Sequence, residues 1–123
     1  MELGKEATKE AILSHQADAV IVATGAQPLT PEIKGLEKAE VVNAVDVLGG
    51  KAETGEKVLI IGGDMVGCEV AEFLADKGKK VTICEMLPEL LTKMPFQFRR
   101  PVTGRLRKIG VEIQLGVTAK EVT

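Results

Sequence analysis

Gly62-Gly63-Asp64-Met65-Val66-Gly67 holds three glycines in six positions and directly follows four aliphatic residues, Val58-Leu59-Ile60-Ile61. A glycine turn that opens a helix presents unpaired backbone N–H groups and the positive end of the helix dipole, which together attract an anion. The anion suited to such a turn is the pyrophosphate of a dinucleotide. A first glycine lets the chain leave the strand sharply, a second lets bare backbone touch phosphate, and a third lets the helix pack closely on the strand. Gly62 and Gly67 take the first and third roles. The second falls on Asp64, whose carboxylate repels pyrophosphate, although an aspartate there is well suited to cap the helix that follows. Glu85 stands 23 positions after Gly62. That is close to the ~20 at which a carboxylate accepts both hydroxyls of a ribose. A carboxylate there also repels a 2′-phosphate, so NAD(H) is favoured over NADP(H). The alternative is a phosphate-free turn that keeps its glycines for packing alone.

These residues need a scaffold. Val58 to Ile61 reads as a buried strand. A helix should run from the turn to about Lys77, with Val66, Val70 and Leu74 on its inner face, and Gly78 should end it. Lys79 to Glu85 is a second strand, built on Val81 and Ile83. Pro95 and Pro101 restrict the next helix, which is expected from Pro101 to Ile109, stopped by Gly110. Val111 to Leu115 is the third strand. Strand, helix, strand, helix, strand implies right-handed crossovers and a parallel α/β sheet with helices on both faces, in three layers.

The first fifty residues are organised differently. A short helix is expected from Thr8 to His15, capped by Thr8, with Ala11 and Ile12 facing inward. Asp18-Ala19-Val20-Ile21-Val22-Ala23 is apolar and β-branched, as in a strand buried on both faces. Pro28, Pro31 and Gly35 make the next stretch irregular. Val41-Val42 is extended, and Asn43 to Leu48 forms one helical turn. Gly49, Gly50 and Gly55 mark a domain boundary.

The chain has 123 residues, 45% of them hydrophobic, with no Trp, no Tyr and three Phe, so its core must be aliphatic. A net charge of −2 and so few aromatics argue against a nucleic-acid binder. No apolar run approaches the ~20 residues that cross a bilayer. The N-terminal residues lack the layout of a signal peptide, so a cytoplasmic location is expected. Cys68 and Cys84 form no CxxC pair, and with a single His they complete no zinc set. They are expected to be free buried thiols, and no metal site is expected. Arg99, Arg100, Arg105, Arg107 and Lys108 form a basic cluster, best read as a solvated helix face. His15 suits a helix end. Met86, Met94, Phe96 and Phe98 read as packing residues or as surface for another domain to cover.

Several segments resemble the two-dinucleotide flavoprotein reductases. Asp18 to Pro28, containing Ala23-Thr24-Gly25, is similar to the segment that closes their FAD-type domain. Val41 to Leu48 resembles the connection that follows it. Lys57 to Glu69 and Lys79 to Met86 look like their Rossmann-like pyridine-nucleotide domain. Within this group the chain resembles the C-terminal part of NADH:flavin oxidoreductases related to dienoyl-CoA and enoate reductases. The resemblance implies that residues 1–50 are the tail of an FAD-type domain with its crossover linker. Residues 51–123 are then an NAD(P)H-binding domain, incomplete at its C-terminus. It places Gly62, Gly63 and Gly67 at the pyrophosphate, with Asp64, Met65 and Val66 in the same loop, and Glu85 at the adenosine ribose. Glu69 matches a glutamate near the nicotinamide, or is an ordinary first-turn glutamate favoured by the helix dipole. Asp64 departs from the pattern. The resemblance also implies an N-terminal barrel with FMN, an iron–sulfur cluster and an FAD-binding glycine loop, none of them in these residues. Met1 is then an internal position of a longer protein.

Two functions are consistent with these residues. One is the NAD(H)-binding portion of an FAD-dependent NADH:flavin oxidoreductase, with no catalytic acid, base or nucleophile of its own. Its partners are a dinucleotide and the remaining domains, with neither nucleic acid nor membrane, and self-association is open to it. The other is a docking module whose glycine loop, carrying Asp64, no longer accepts pyrophosphate.

Overall fold

A computed structural model describes residues 2–123. Met1, expected to be an internal position, lies outside the described residues. Two short helices come first, α1 (Lys9–Ser14) and α2 (Ala44–Leu48). From residue 57 the chain alternates through β1 (Lys57–Ile61), α3 (Met65–Asp76), β2 (Lys80–Glu85), α4 (Phe96–Lys108) and β3 (Glu112–Leu115). The strands form one parallel sheet in the order β1-β2-β3, with Ile61 beside Cys84 and Glu85 beside Leu115. This is the Rossmann-like α/β fold that the strand–helix alternation implies. Parallel pairing sends the C-terminal ends of all strands to one edge. The turn after β1 and the last residue of β2 therefore meet there, and Gly62 N–H donates to Cys84 O at 2.9 Å.

The core lies between the sheet and its helices. Val81 and Ile83 of β2 are buried, and Val58, Ile60 and Ile113 pack against the same cluster. α3 adds Cys68, Val70, Ala71 and Leu74, and α4 adds Leu106. The inner face of α3 is rotated from the expected one, because Val66 is half exposed while Cys68 and Ala71 are buried. Gly67 turns toward the β1 end, and the residues a turn further along follow it inward.

α3 and α4 pack on each other. Two right-handed crossovers made in the same direction put both helices on one side of the sheet. The expected second helical layer is not found on the other side among the described residues. Leu59 and Ile61 of β1 remain largely exposed there.

The first fifty residues depart further from expectation. Thr8 Oγ1 accepts from Ala11 N–H as a cap should, and His15 is the C-cap, but α1 buries no residue. Residues 18–23 form no strand, and Ile21 is 91% exposed. A strand buried on both faces needs neighbours on its edges, and no described strand pairs with this one. Val41 and Val42, expected to be extended, belong to no strand or helix. α2 is the expected helical turn, with Asn43 Oδ1 accepting from Val45 N–H at 2.9 Å and Val47 buried. The glycine-rich connection is tied to the residue before β2, where Lys79 Nζ donates to Thr54 O and Gly55 O at 2.5 and 3.1 Å. A parallel bridge joins Lys34 to Glu121, and their side chains pair at 2.6 Å.

α4 begins five residues before the proline expected to start it. Pro95 occupies the N-cap and Pro101 lies inside the helix. A proline in the second turn removes one N–H, the donor that would serve Gln97 O, and crowds that carbonyl. Packing of α4 on α3 outweighs this loss. Replacing Pro101 with Ala should therefore raise stability by about 1–3 kcal/mol. Urea denaturation followed by circular dichroism tests this; an unchanged or lower midpoint contradicts it.

Candidate functional site

Gly63 is the centre of the site. Its N–H donates to Glu85 Oε2 at 2.6 Å, and its carbonyl accepts from Leu91 N–H at 2.9 Å and Cys68 Sγ at 3.4 Å. A side chain at Gly63 would strike Leu90 and the Glu85 side chain, and one at Gly67 would strike the Gly62 carbonyl. Gly62 itself has φ +106°, which disfavours any side chain. Gly62 and Gly67 thus fill the turning and packing roles expected of them. Gly63, to which the motif spacing gives no role of its own, is constrained as well, by the Leu90 and Glu85 side chains.

Glu85 is only 9% exposed. Besides Gly63 N–H it accepts from Leu87 N–H, through Oε1 at 2.8 Å. A carboxylate offers about four lone-pair sites. Each oxygen therefore keeps one free for a hydroxyl group.

The start of α3 carries the unpaired donors. The first bond into the helix runs from Cys68 N–H to Asp64 O at 3.0 Å. Among the described residues, nothing accepts from the N–H groups of Met65, Val66 or Gly67. Asp64 holds the N-cap position, but its side chain makes no capping bond, contrary to expectation. Its Oδ2 instead lies 3.4 Å from Lys93 Nζ, and its Oδ1 is buried without a partner. Glu69 is exposed. It lines a groove of about 90 Å³ between α3 and α4, together with Glu72, Met94 and Arg105.

The loop from Met86 to Pro95 covers this end of the sheet. Leu90 and Leu91 are buried in it, and Leu91 takes the left-handed conformation with φ 58°. Arg99 fixes the loop from below. It donates to Met94 O and Thr92 O, each at 2.7 Å, and to Glu89 Oε2 at 3.0 Å. Arg99 is therefore not a solvated side chain. Arg105 is engaged too, through a two-bond pair with Glu72, and Arg100 stands 5.2 Å over the Phe96 ring. Only Arg107 and Lys108 match a solvated face. Of the sulfur and aromatic residues nearby, Met94 packs against the core, while Met86, Phe96 and Phe98 are exposed. Lys93, Leu91 and Arg99 belong to the site without having been singled out for it. The paired leucines at 90 and 91 were the one signal of a folded loop.

The two thiols differ. Burial pushes the Cys68 thiol up to about 11, and the carboxylates of Asp64, Glu69 and Glu85 add to the shift. Cys84 is half-buried on the open side of the sheet, and is raised by burial and then by Glu112. The Arg105 hydrogen bond holds the Glu72 carboxyl below its usual value.

A glycine turn, three free helix N–H groups and a buried acid at the end of β2 meet at one edge of the sheet. The sequence profile of the pyridine nucleotide-disulphide oxidoreductases matches residues 3–123. The chain belongs to this family. It is a nucleotide-binding oxidoreductase module of the FAD- and NAD-binding flavoproteins. It is 42% identical over 123 residues to an NADH oxidase of Thermoanaerobacter brockii, covering 97% of this chain and 19% of the oxidase. It is 47% identical over 91 residues to a cinnamate reductase of Clostridium sporogenes, covering 74% of this chain and 13% of the reductase. The structure of a 2-naphthoyl-CoA reductase in complex with 2-naphthoyl-CoA superimposes with a TM-score of 0.76 at 31% identity, covering 99% of this chain and 18% of that one. The chain thus spans at most about a fifth of the length of these relatives. Among the described residues, no helix is long and apolar enough to cross a membrane.

Two outcomes follow from this geometry. Gly67→Ala should lower stability by about 2 kcal/mol or more, since the new methyl group meets backbone that cannot swing away; a loss under about 0.5 kcal/mol in denaturant titration contradicts the close approach. Cys68 favours its protonated form when folded, so its contribution is complete below the usual thiol value of 9.0 and fades as pH rises toward 11. Cys68→Ala should flatten the fall in stability between pH 9 and 11. An identical pH profile for both proteins contradicts this.

Proposed function

We propose that this chain is the NAD(H)-binding portion of an FAD-dependent NADH:flavin oxidoreductase of the dienoyl-CoA and enoate reductase type, acting in the cytoplasm. The observation that carries this reading is the pairing of free N–H groups at the start of α3 with a buried acid 22 residues from Gly63. Pyrophosphate would be held by the N–H groups of Met65, Val66 and Gly67, beside Gly62, Gly63 and Asp64. The free lone pairs of Glu85 would take the hydroxyls of the adenosine ribose. Glu69, exposed further along α3, would face the nicotinamide side. When bound, NAD(H) would supply reducing equivalents, as hydride, for a flavin held outside these residues. This chain's residues bind and orient; none acts as acid, base or nucleophile. The cinnamate reductase and naphthoyl-CoA reductase relatives support the choice of subfamily, and with it FMN and an iron–sulfur cluster elsewhere in the protein.

Glu85 also supports NAD(H) over NADP(H). A 2′-phosphate would meet a carboxylate already held in place by two backbone N–H groups. The docking reading rests on Asp64 alone, and the ammonium of Lys93 beside that carboxylate weakens it. Fluorescence titration of the chain with NADH and NADPH, and calorimetry with ADP, test the proposal. NADH should bind at least about tenfold more tightly than NADPH, a difference of ~1.4 kcal/mol. Equal affinities overturn the NAD(H) preference, and no binding of any of the three at millimolar concentration overturns the nucleotide site.

A further inference from the structure

Asp64 is the residue of the turn that conflicts with an anionic ligand. Its carboxylate stands at the N-cap of α3, where pyrophosphate would sit against the free N–H groups. It does not spend its charge on the helix, since it makes no capping bond. Its only ion-pair partner among the described residues is Lys93, 3.4 Å from Oδ2.

Lys93 is 87% exposed, and an exposed lysine alone would hold that position poorly. The backbone on both sides of it is fixed. Arg99 donates to the carbonyls of Thr92 and Met94, the residues immediately before and after Lys93. Leu91 N–H donates to Gly63 O, which ties the same loop to the glycine turn. The stem of Lys93 therefore starts from a set place beside the turn. A cation on this stem reduces the repulsion that Asp64 would exert on a phosphate.

We propose that Lys93 is a positioning residue for the dinucleotide, neutralising Asp64 so that a pyrophosphate can approach the start of α3. The inference rests on the nucleotide-site reading and deepens it. Asp64 and Lys93 act as one unit, so the value of Lys93 depends on the presence of Asp64. A lysine that merely attracted phosphate would act equally with or without the aspartate.

A double-mutant cycle on the 123-residue chain separates these cases. NADH affinity is measured for the parent, Lys93→Ala, Asp64→Gly and the double variant, with melting temperature as a control. Lys93→Ala should weaken NADH about tenfold when Asp64 is present and less than about twofold when Asp64 is replaced by Gly, and Lys93→Arg should restore binding. The tenfold loss should shrink in high salt, which screens the exposed pair. An equal loss in both backgrounds overturns the inference while leaving the nucleotide site standing, and so does no loss in either. If no variant binds NADH or ADP at millimolar concentration, the nucleotide site itself fails and the inference with it. Lys93 projects into solvent, so folding of the alanine variant is not at issue.

Discussion

The buried contact between Glu85 and the Gly63 backbone holds this end of the molecule together. Four parts of the chain meet at that one glycine: the turn after β1, the acid ending β2, the loop through Leu91, and α3 through Cys68. A carboxylate removed from water without partners costs several kcal/mol. Here it receives two backbone N–H groups, and bonds of this charge-assisted kind contribute about 1.5–3 kcal/mol each. The acid therefore braces the glycine turn whether or not a ribose is bound. In the proposed site, a ribose would draw on the same side chain through its remaining lone pairs.

The sheet and α3 were legible because a parallel strand covered by helices carries an aliphatic run, and a glycine such as Gly78 ends a helix in a conformation other residues avoid. The same reasoning misplaced residues 18–23. An aliphatic run states what a segment needs, not whether its neighbours are present. Arg99 was illegible for another reason: two of its three acceptors are backbone carbonyls, which every sequence contains. The side chain of Asp64 was misread because capping is a local rule, whereas Lys93 comes from a loop 29 residues later. Pro101 carries the local signal of a helix start, but packing on α3 outweighs the missing donor.

The sidedness of the molecule also follows from simple rules. Three parallel strands in sequential order place both crossover helices on one face. That face buries Val81 and Ile83, while Leu59 and Ile61 on the other stay open. The open face also carries Cys84, the more accessible of the two thiols. The Arg99 and Arg105 networks join α4 to its neighbours on the covered side, while Lys57, Lys80 and Glu112 lie on the open face.

The bridge between Lys34 and Glu121 bears on the order of assembly. It closes a ring of 87 residues, against 22 for the contact between Gly63 and Glu85. Chain entropy makes the larger closure about 1.2 kcal/mol more costly; an ion pair this exposed returns less than about 1 kcal/mol, and the bond from Val122 N–H to Lys34 O at 2.8 Å about as much again. The clasp cannot recruit the N-terminal segment while the chain is still open. It closes once the strands and helices between its ends have drawn those ends together, which makes it a late reporter of folding rather than a cause.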